Sequence, residues 1–294
     1  MKNNSGHKPV LLKETIEALH IESQAQYIDA TLGSGGHSVE IIKRGGQLFA
    51  IEDDKTMLEI ARKKLSTACP IPTKSGFYKL IHDNFKNIAS IAKKYDIHPM
   101  GILFDLGIST IHYSEIKRGF TFGDESQPLD MRLNPDREEV KASDLLNVLR
   151  QDQLKDLFLL GMSESEARFL AKRIVKGREI KKFETVKDLL EIIPPRQTSD
   201  KIHPATRAFM ALRMAVNNEL DNLEIALPDA FEILEPGGVL VVITFHSGEE
   251  KVVRNVLGKE DQEVRPSPEE IRDNPASRSA KMKIFVKDGS RKQT

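Results

Sequence analysis

A glycine-bearing loop, Gly33-Ser34-Gly35-Gly36-His37, lies between an apolar run, Tyr27-Ile28-Asp29-Ala30, and a stretch with helical spacing. Glycines at such a junction let backbone approach a ligand closely, and the helix that follows offers unpaired N–H groups. Alone, the loop fits either a nucleotide-like ligand or a plain tight turn. The dinucleotide fingerprint wants a third glycine three residues after the second, where Ser38 stands, and that deficit argues against NAD. Glu52 ends the next apolar run, a place from which a carboxylate accepts hydrogen bonds from a ribose. Asp54 is better set to cap the following helix, so Glu52 is assigned to the ribose. Phe85, after His82-Asp83-Asn84, either covers an adenine face or packs under the next helix. Asp105 closes a fourth apolar run at the edge where open α/β sheets bind ligands. A buried carboxylate there needs partners. By accepting an N–H bond it would raise the nucleophilicity of an amine and align it for in-line displacement.

Three further clusters stand outside that core: Asp130-Met131-Arg132, His203-Pro204-Ala205-Thr206-Arg207 and Phe245-His246-Ser247. Each has a structural reading, with Asp130 and Arg132 as a loop clamp, Thr206 as a helix cap and His246 as a satisfied strand-end residue. Their joint presence favours a binding role for Arg132, Arg207 and His246. No His, Cys, Asp or Glu set has zinc-ligand spacing, so no metal is expected. Cys69 is the only cysteine and reads as a packing residue; with no disulfide framework the chain suits a reducing cytosol. Lys plus Arg and Asp plus Glu are 44 each, so global charge favours no partner. The local run of Arg168, Lys172, Arg173, Lys176, Arg178, Lys181 and Lys182 is either a solvated helix face or a phosphate-binding patch.

These residues need a scaffold, and the pattern supplies one. Strands are expected at 27–30, 48–51, 79–81 and 101–104, alternating with helices at 36–44, 54–65 and 88–95. Unbroken apolar strands alternating with helices imply an α/β fold with a parallel sheet covered on both faces. The alternation stops at 107–135, a loop-rich segment, and residues 142–193 are helical throughout. It returns with one long helix over 204–234, a strand at 239–245 and an edge strand at 282–286. The simplest organisation is an α/β domain of residues 1–110 and 204–294, with residues 111–203 inserted as a loop-rich and helical segment. The first seven residues carry no apolar or Arg/Ser-rich address, and no run approaches the roughly 18 apolar residues of a membrane span. A cytoplasmic protein is therefore expected.

Taken together, the stretches closely resemble the bacterial ribosomal RNA small-subunit methyltransferase H family. The resemblance runs from His7-Lys8-Pro9-Val10-Leu11-Leu12 and Gly33-Ser34-Gly35-Gly36-His37-Ser38 through 101–109, 118–122 and 128–132. It closes with 203–207, 245–247 and Asn274-Pro275-Ala276-Ser277-Arg278-Ser279-Ala280-Lys281. It implies a Rossmann-like class I methyltransferase sheet and S-adenosyl-L-methionine as cofactor. The implied substrate is the N4 amine of a cytidine in the decoding region of 16S rRNA, within the small ribosomal subunit. It implies that Gly35, Gly36, His37, Glu52, Phe85 and Asp105 bind the cofactor, with Asp105 orienting the amine. Where the family has a cofactor-contacting glutamine, this chain has His112. Glu52 replaces the family's aspartate, Gly248-Glu249-Glu250 replaces Leu-Glu-Asp, and 258–272 is short beside a longer basic loop. The base is expected to be splayed from its stack, with Arg132, Arg207 and His246 holding phosphate or base. Lys172, Arg173, Lys176 and Arg178 would grip backbone. Exposed faces of the helical insert could support a homodimer. The competing reading is a non-catalytic RNA-binding ribosome-assembly factor on the same fold.

Overall fold

The computed structural model describes residues 8–70, 77–195 and 203–289; His7 of the first matched stretch lies outside them. They form two compact units, one from the described residues of Met1–Ser109 and Leu220–Thr294, the other from Thr110–Glu219. In chain order the first unit begins with α1 (Leu12–Ala18), β1 (Gln26–Asp29), α2 (Gly36–Lys43), β2 (Gln47–Glu52) and α3 (Lys55–Ala68). It continues with β3 (Phe77–His82), α4 (Ile88–Tyr95) and β4 (Pro99–Asp105). The second unit carries α5 (Thr110–Ser114), α6 (Ala142–Val148), α7 (Gln151–Phe158), α8 (Glu164–Ile180), α9 (Val186–Leu190) and α10 (Pro204–Val216). The chain returns through α11 (Glu219–Ile233) to β5 (Val239–Thr244), α12 (Ser247–Leu257), β6 (Gln262–Val264), α13 (Pro268–Asp273) and β7 (Lys281–Val286).

The sheet has the order β3-β2-β1-β4-β5-β7-β6. β1 to β5 pair in parallel, while β7 runs antiparallel to β5 and to β6. Alternate residues of each strand feed two separate cores. Tyr27, Leu48, Ala50, Leu103, Val241 and Ile243 face one, with α1, α2 and α3 over them. Ile28, Phe49, Ile51, Ile102, Phe104, Leu240 and Val242 face the other, which Ile88, Leu223, Leu227 and Val253 close from α4, α11 and α12. This is why the central strands read as continuous apolar runs. The strand order reverses between β1 and β4, and at such a switch point the loops after the two strands diverge and leave a crevice. This is a Rossmann-like α/β sheet.

Three local expectations change. The strand at 282–286 is internal, and the edge is β6, formed by part of the segment read as a shortened loop. Lys283 gave β7 its edge-like alternation, yet it is only 8% exposed because its ammonium sits 3.1 Å from Glu260 and 3.3 Å from Glu263. The single helix over 204–234 is two helices, broken at Asn217-Asn218, where Asn218 takes the left-handed conformation at φ 49°. The Asn217 amide fills the break, donating to the carbonyls of Arg213 and Met131 and accepting the N–H of Leu133 at 2.7 Å. α10 packs against α6 and α7, so the second unit extends to Glu219 rather than ending at residue 203. No helix among the described residues is long and apolar enough to cross a membrane.

Candidate active site

β1 delivers the chain into the glycine loop with Asp29, which is 1% exposed. Asp29 accepts the Ser38 hydroxyl at 2.7 Å and the Thr31 N–H at 3.2 Å, tying strand end, loop and first turn of α2 together. Burial pushes its carboxyl up to about 6. The loop closes with the Gly35 N–H donating to the Leu32 carbonyl at 2.8 Å, and Gly35, at φ 79°, is the residue from which α2 starts. A side chain there would be strained whatever the space available. Gly36 is constrained differently: a Cβ would come within 2.9 Å of the Pro9 ring.

Glu52, ending β2, binds the loop from the other side. Its carboxylate accepts the Gly33 N–H at 2.9 Å and the Asp54 N–H at 2.8 Å. Asp54 is the N-cap of α3, accepting the Thr56 N–H. Burial pushes Glu52 up to about 8, with the charges of Asp54 and Asp53 adding to it. Each Glu52 oxygen takes one N–H and retains lone-pair capacity for a ribose hydroxyl. Phe85 follows β3 and meets Phe104 edge-on at 5.6 Å, so its ring packs on the sheet at the strand ends.

Asp105 ends β4 with its N–H donating to the Thr31 hydroxyl at 2.6 Å. Oδ2 lies 3.5 Å from His37 Nδ1, while Oδ1 is buried without a hydrogen-bond partner. Burial, then the charges of Asp29 and Glu249, hold this carboxyl well above the usual range. An orphaned buried oxygen beside a strained glycine loop is an arrangement that a ligand completes. A cationic ligand offsets the repulsion among Asp29, Asp105 and Glu249, so the residues fit a sulfonium nucleoside such as S-adenosylmethionine.

His246 follows β5 and is the N-cap of α12, its Nδ1 accepting the Glu249 N–H at 3.4 Å. Glu249 answers by accepting the N–H groups of Phe245 at 2.7 Å and His246 at 3.2 Å. One residue on, Glu250 pairs with Lys281 of β7 at 2.7 Å. The Gly-Glu-Glu departure from the family pattern therefore leaves α12 anchored at both carboxylates.

The structure gathers Gly35, Gly36, His37, Glu52, Phe85, Asp105 and His246 in the first unit; His112, Arg132 and Arg207 belong to the second. His112 is buried in α5, its ring edge-on to Phe120 at 5.4 Å. Arg132 makes a bidentate pair with Asp130, both contacts at 2.7 Å, and donates to the Glu138 carbonyl at 2.9 Å. Arg207 forks onto Glu166, whose carboxylate also takes the Ser163 N–H and hydroxyl. Both arginines thus act as clamps inside the helical unit. The cap of α10 is His203, not Thr206, with Nδ1 accepting the Ala205 N–H at 3.1 Å. On α8, Lys172 and Lys176 are exposed, whereas Arg178 donates to the carbonyls of Leu146 and Leu149 at the end of α6.

Sequence reasoning missed Asp29, Thr31 and Glu249. Asp29 precedes the loop directly, and Glu249 stands three residues after a helix cap, the signature of a capping box. Those two spacings were the available signals.

The family model described as the MraW methylase family matches residues 4–265. A protein named ribosomal RNA small subunit methyltransferase H from Dictyoglomus thermophilum is 40% identical over 290 residues, covering 95% of each chain. Its namesake from Coprothermobacter proteolyticus is 36% identical over 301 residues, covering 98% of each. A loop built for close ligand approach, acidic groups at the ends of β1, β2 and β4, and likeness along nearly the whole length converge: the chain belongs to the MraW methylase family.

Proposed function

We propose that this protein methylates the exocyclic N4 of a cytidine in the decoding region of 16S rRNA, using S-adenosylmethionine, in the cytoplasm and on the small ribosomal subunit. The observation that carries this reading is Asp105: a buried carboxylate at a switch-point strand end, with one oxygen unpartnered beside the glycine loop. The relatives' names supply the small-subunit rRNA, and the family resemblance supplies the cytidine amine. Bound S-adenosylmethionine supplies an electrophilic sulfonium methyl, whose transfer leaves a neutral thioether and one proton to be removed from the nitrogen.

The protein's part is positioning and electrostatics. Gly33, Gly35 and Gly36 shape the loop, Glu52 receives the ribose hydroxyls, and Phe85 covers the adenine. Asp105 Oδ1 accepts an N–H of the amine, turning the nitrogen lone pair out of conjugation and toward the methyl group. His246, fixed by Glu249, borders the base. In the second unit Lys172, Arg173 and Lys176 hold RNA phosphates, while Arg132 and Arg207 keep that unit's loops in shape. Such contacts release counterions, so binding weakens as salt rises.

Asp105→Ala tests the reading. Small subunits incubated with this variant should gain no methylcytidine above background, while calorimetry still detects cofactor binding. Methylation at near wild-type rate with cofactor bound would remove Asp105 from the chemistry. Wild-type protein that binds small subunits and methylates nothing would point to the assembly-factor reading instead.

A further inference from the structure

His37 is the second residue of α2 and its side chain is 5% exposed. Nε2 lies 3.1 Å from the Val10 carbonyl oxygen. A carbonyl only accepts, so this contact requires the hydrogen on Nε2. In neutral His37 the other nitrogen, Nδ1, is then a bare lone pair, and it faces Asp105 Oδ2 at 3.5 Å. Two acceptors facing each other repel unless a proton lies between them. The Val10 carbonyl is itself held in place: the Leu11 N–H donates to Glu270 at 2.7 Å, the Asn274 amide donates to the Lys8 carbonyl at 3.2 Å, and Pro9 packs on Gly36. The segment from Lys8 to Leu11 is thus a strap that sets the imidazole tautomer.

We propose that His37 and Asp105 form a dyad holding one proton at rest, in which His37 is the positioning residue that keeps Asp105 a carboxylate able to take the proton shed by the methylated amine. This rests on the amine-methylation reading above. With the resting proton on Nδ1, Asp105 is an anion and Oδ1 accepts the amine N–H. After the N–C bond has formed, that N–H bond breaks and its electron pair returns to nitrogen, leaving it neutral. The proton moves to Asp105, and the dyad, now holding two protons, releases one to solvent. The charged groups facing Asp105 are Asp29 at the end of β1, Glu249 on α12 and His37 on α2. The first two favour the neutral acid, as does burial; a protonated imidazole 3.5 Å away favours the anion.

His37→Gln keeps an N–H donor for the Val10 carbonyl and removes the titrating nitrogen. Single-turnover methylation of small subunits by this variant should fall at least about tenfold at pH 7. The loss should recover as pH rises, with the ascending limb displaced upward by about one unit or more. The rate is read at saturating cofactor, with affinity measured in parallel by calorimetry, so that any change in binding is separated from the chemical step. An unchanged rate and pH profile would overturn the proposal. A second measurement does not depend on that variant folding. Long-range proton–nitrogen spectra of ligand-free wild type should show His37 protonated on both nitrogens at rest and as the Nε2–H tautomer once it is titrated to neutrality, with Nδ1 losing its proton at lower pH in Asp105→Asn. A neutral Nδ1–H tautomer, or the same His37 titration in both proteins, defeats the dyad. If wild type itself methylates no cytidine, the substrate reading fails while the titration still decides the dyad.

Discussion

Glu52 and Asp29 are carboxyls that the ligand-free protein carries at a cost. Both have folded-state values above their unfolded ones, Asp29 at about 6 and Glu52 at about 8. The folded state therefore binds more protons than the unfolded chain across pH 4 to 8, and stability falls as pH rises through that window. Ligand-free protein should lose on the order of a few degrees of Tm between pH 5 and 8. Glu52→Gln should flatten the upper part of that slope and weaken cofactor binding about tenfold, readable by scanning calorimetry and titration. A Tm that climbs over the same range would show that Glu52 is ionised throughout. Glu52 was legible in the sequence because a strand end fixes where its side chain must lie, and because Asp54 accounted for the cap. The Asp29–Ser38 pair was not, since strand and helix meet there only after the loop has folded.

At the scale of elements, two junctions carry most of the constraint. Gly35 starts α2 in the left-handed region, so Gly35→Ala costs about 1–2 kcal/mol in strain alone, measurable by urea unfolding. Asn217 stitches α10 to the loop at 131–133 with three hydrogen bonds, and Asn217→Ala should destabilise by about 2–3 kcal/mol while Asn218→Gly is near neutral. An Asn217→Ala protein as stable as wild type would show that the break between the helices is set elsewhere. The α/β alternation was readable because strands buried on both faces have no polar side. The helix break was hidden because Asn217-Asn218 fits a solvated helical turn as well as a left-handed corner. β7 was misplaced because one buried lysine mimics the polar alternation of an edge.

For the whole molecule, 44 basic and 44 acidic side chains leave no net attraction for RNA, so affinity must come from local patches. Lys172 and Lys176 are exposed on α8, and reversing both to Glu should raise the apparent KM for small subunits several-fold with little change in cofactor affinity. The salt dependence of binding should become shallower in the same variant. An unchanged KM and salt slope would return the basic run to its reading as a solvated face. The glycine loop, Glu52 and Asp105 speak for the cofactor and the chemistry; the identity of the substrate came from stretches distributed along the chain, because no single spacing encodes a base. The most direct measurement is mass spectrometry of nucleosides from small subunits treated with the wild-type protein and S-adenosylmethionine, with Asp105→Ala alongside. One added methyl group on the N4 of a decoding-region cytidine, absent with the variant, is expected. Methylation of a different base, or equal methylation by both proteins, would contradict it.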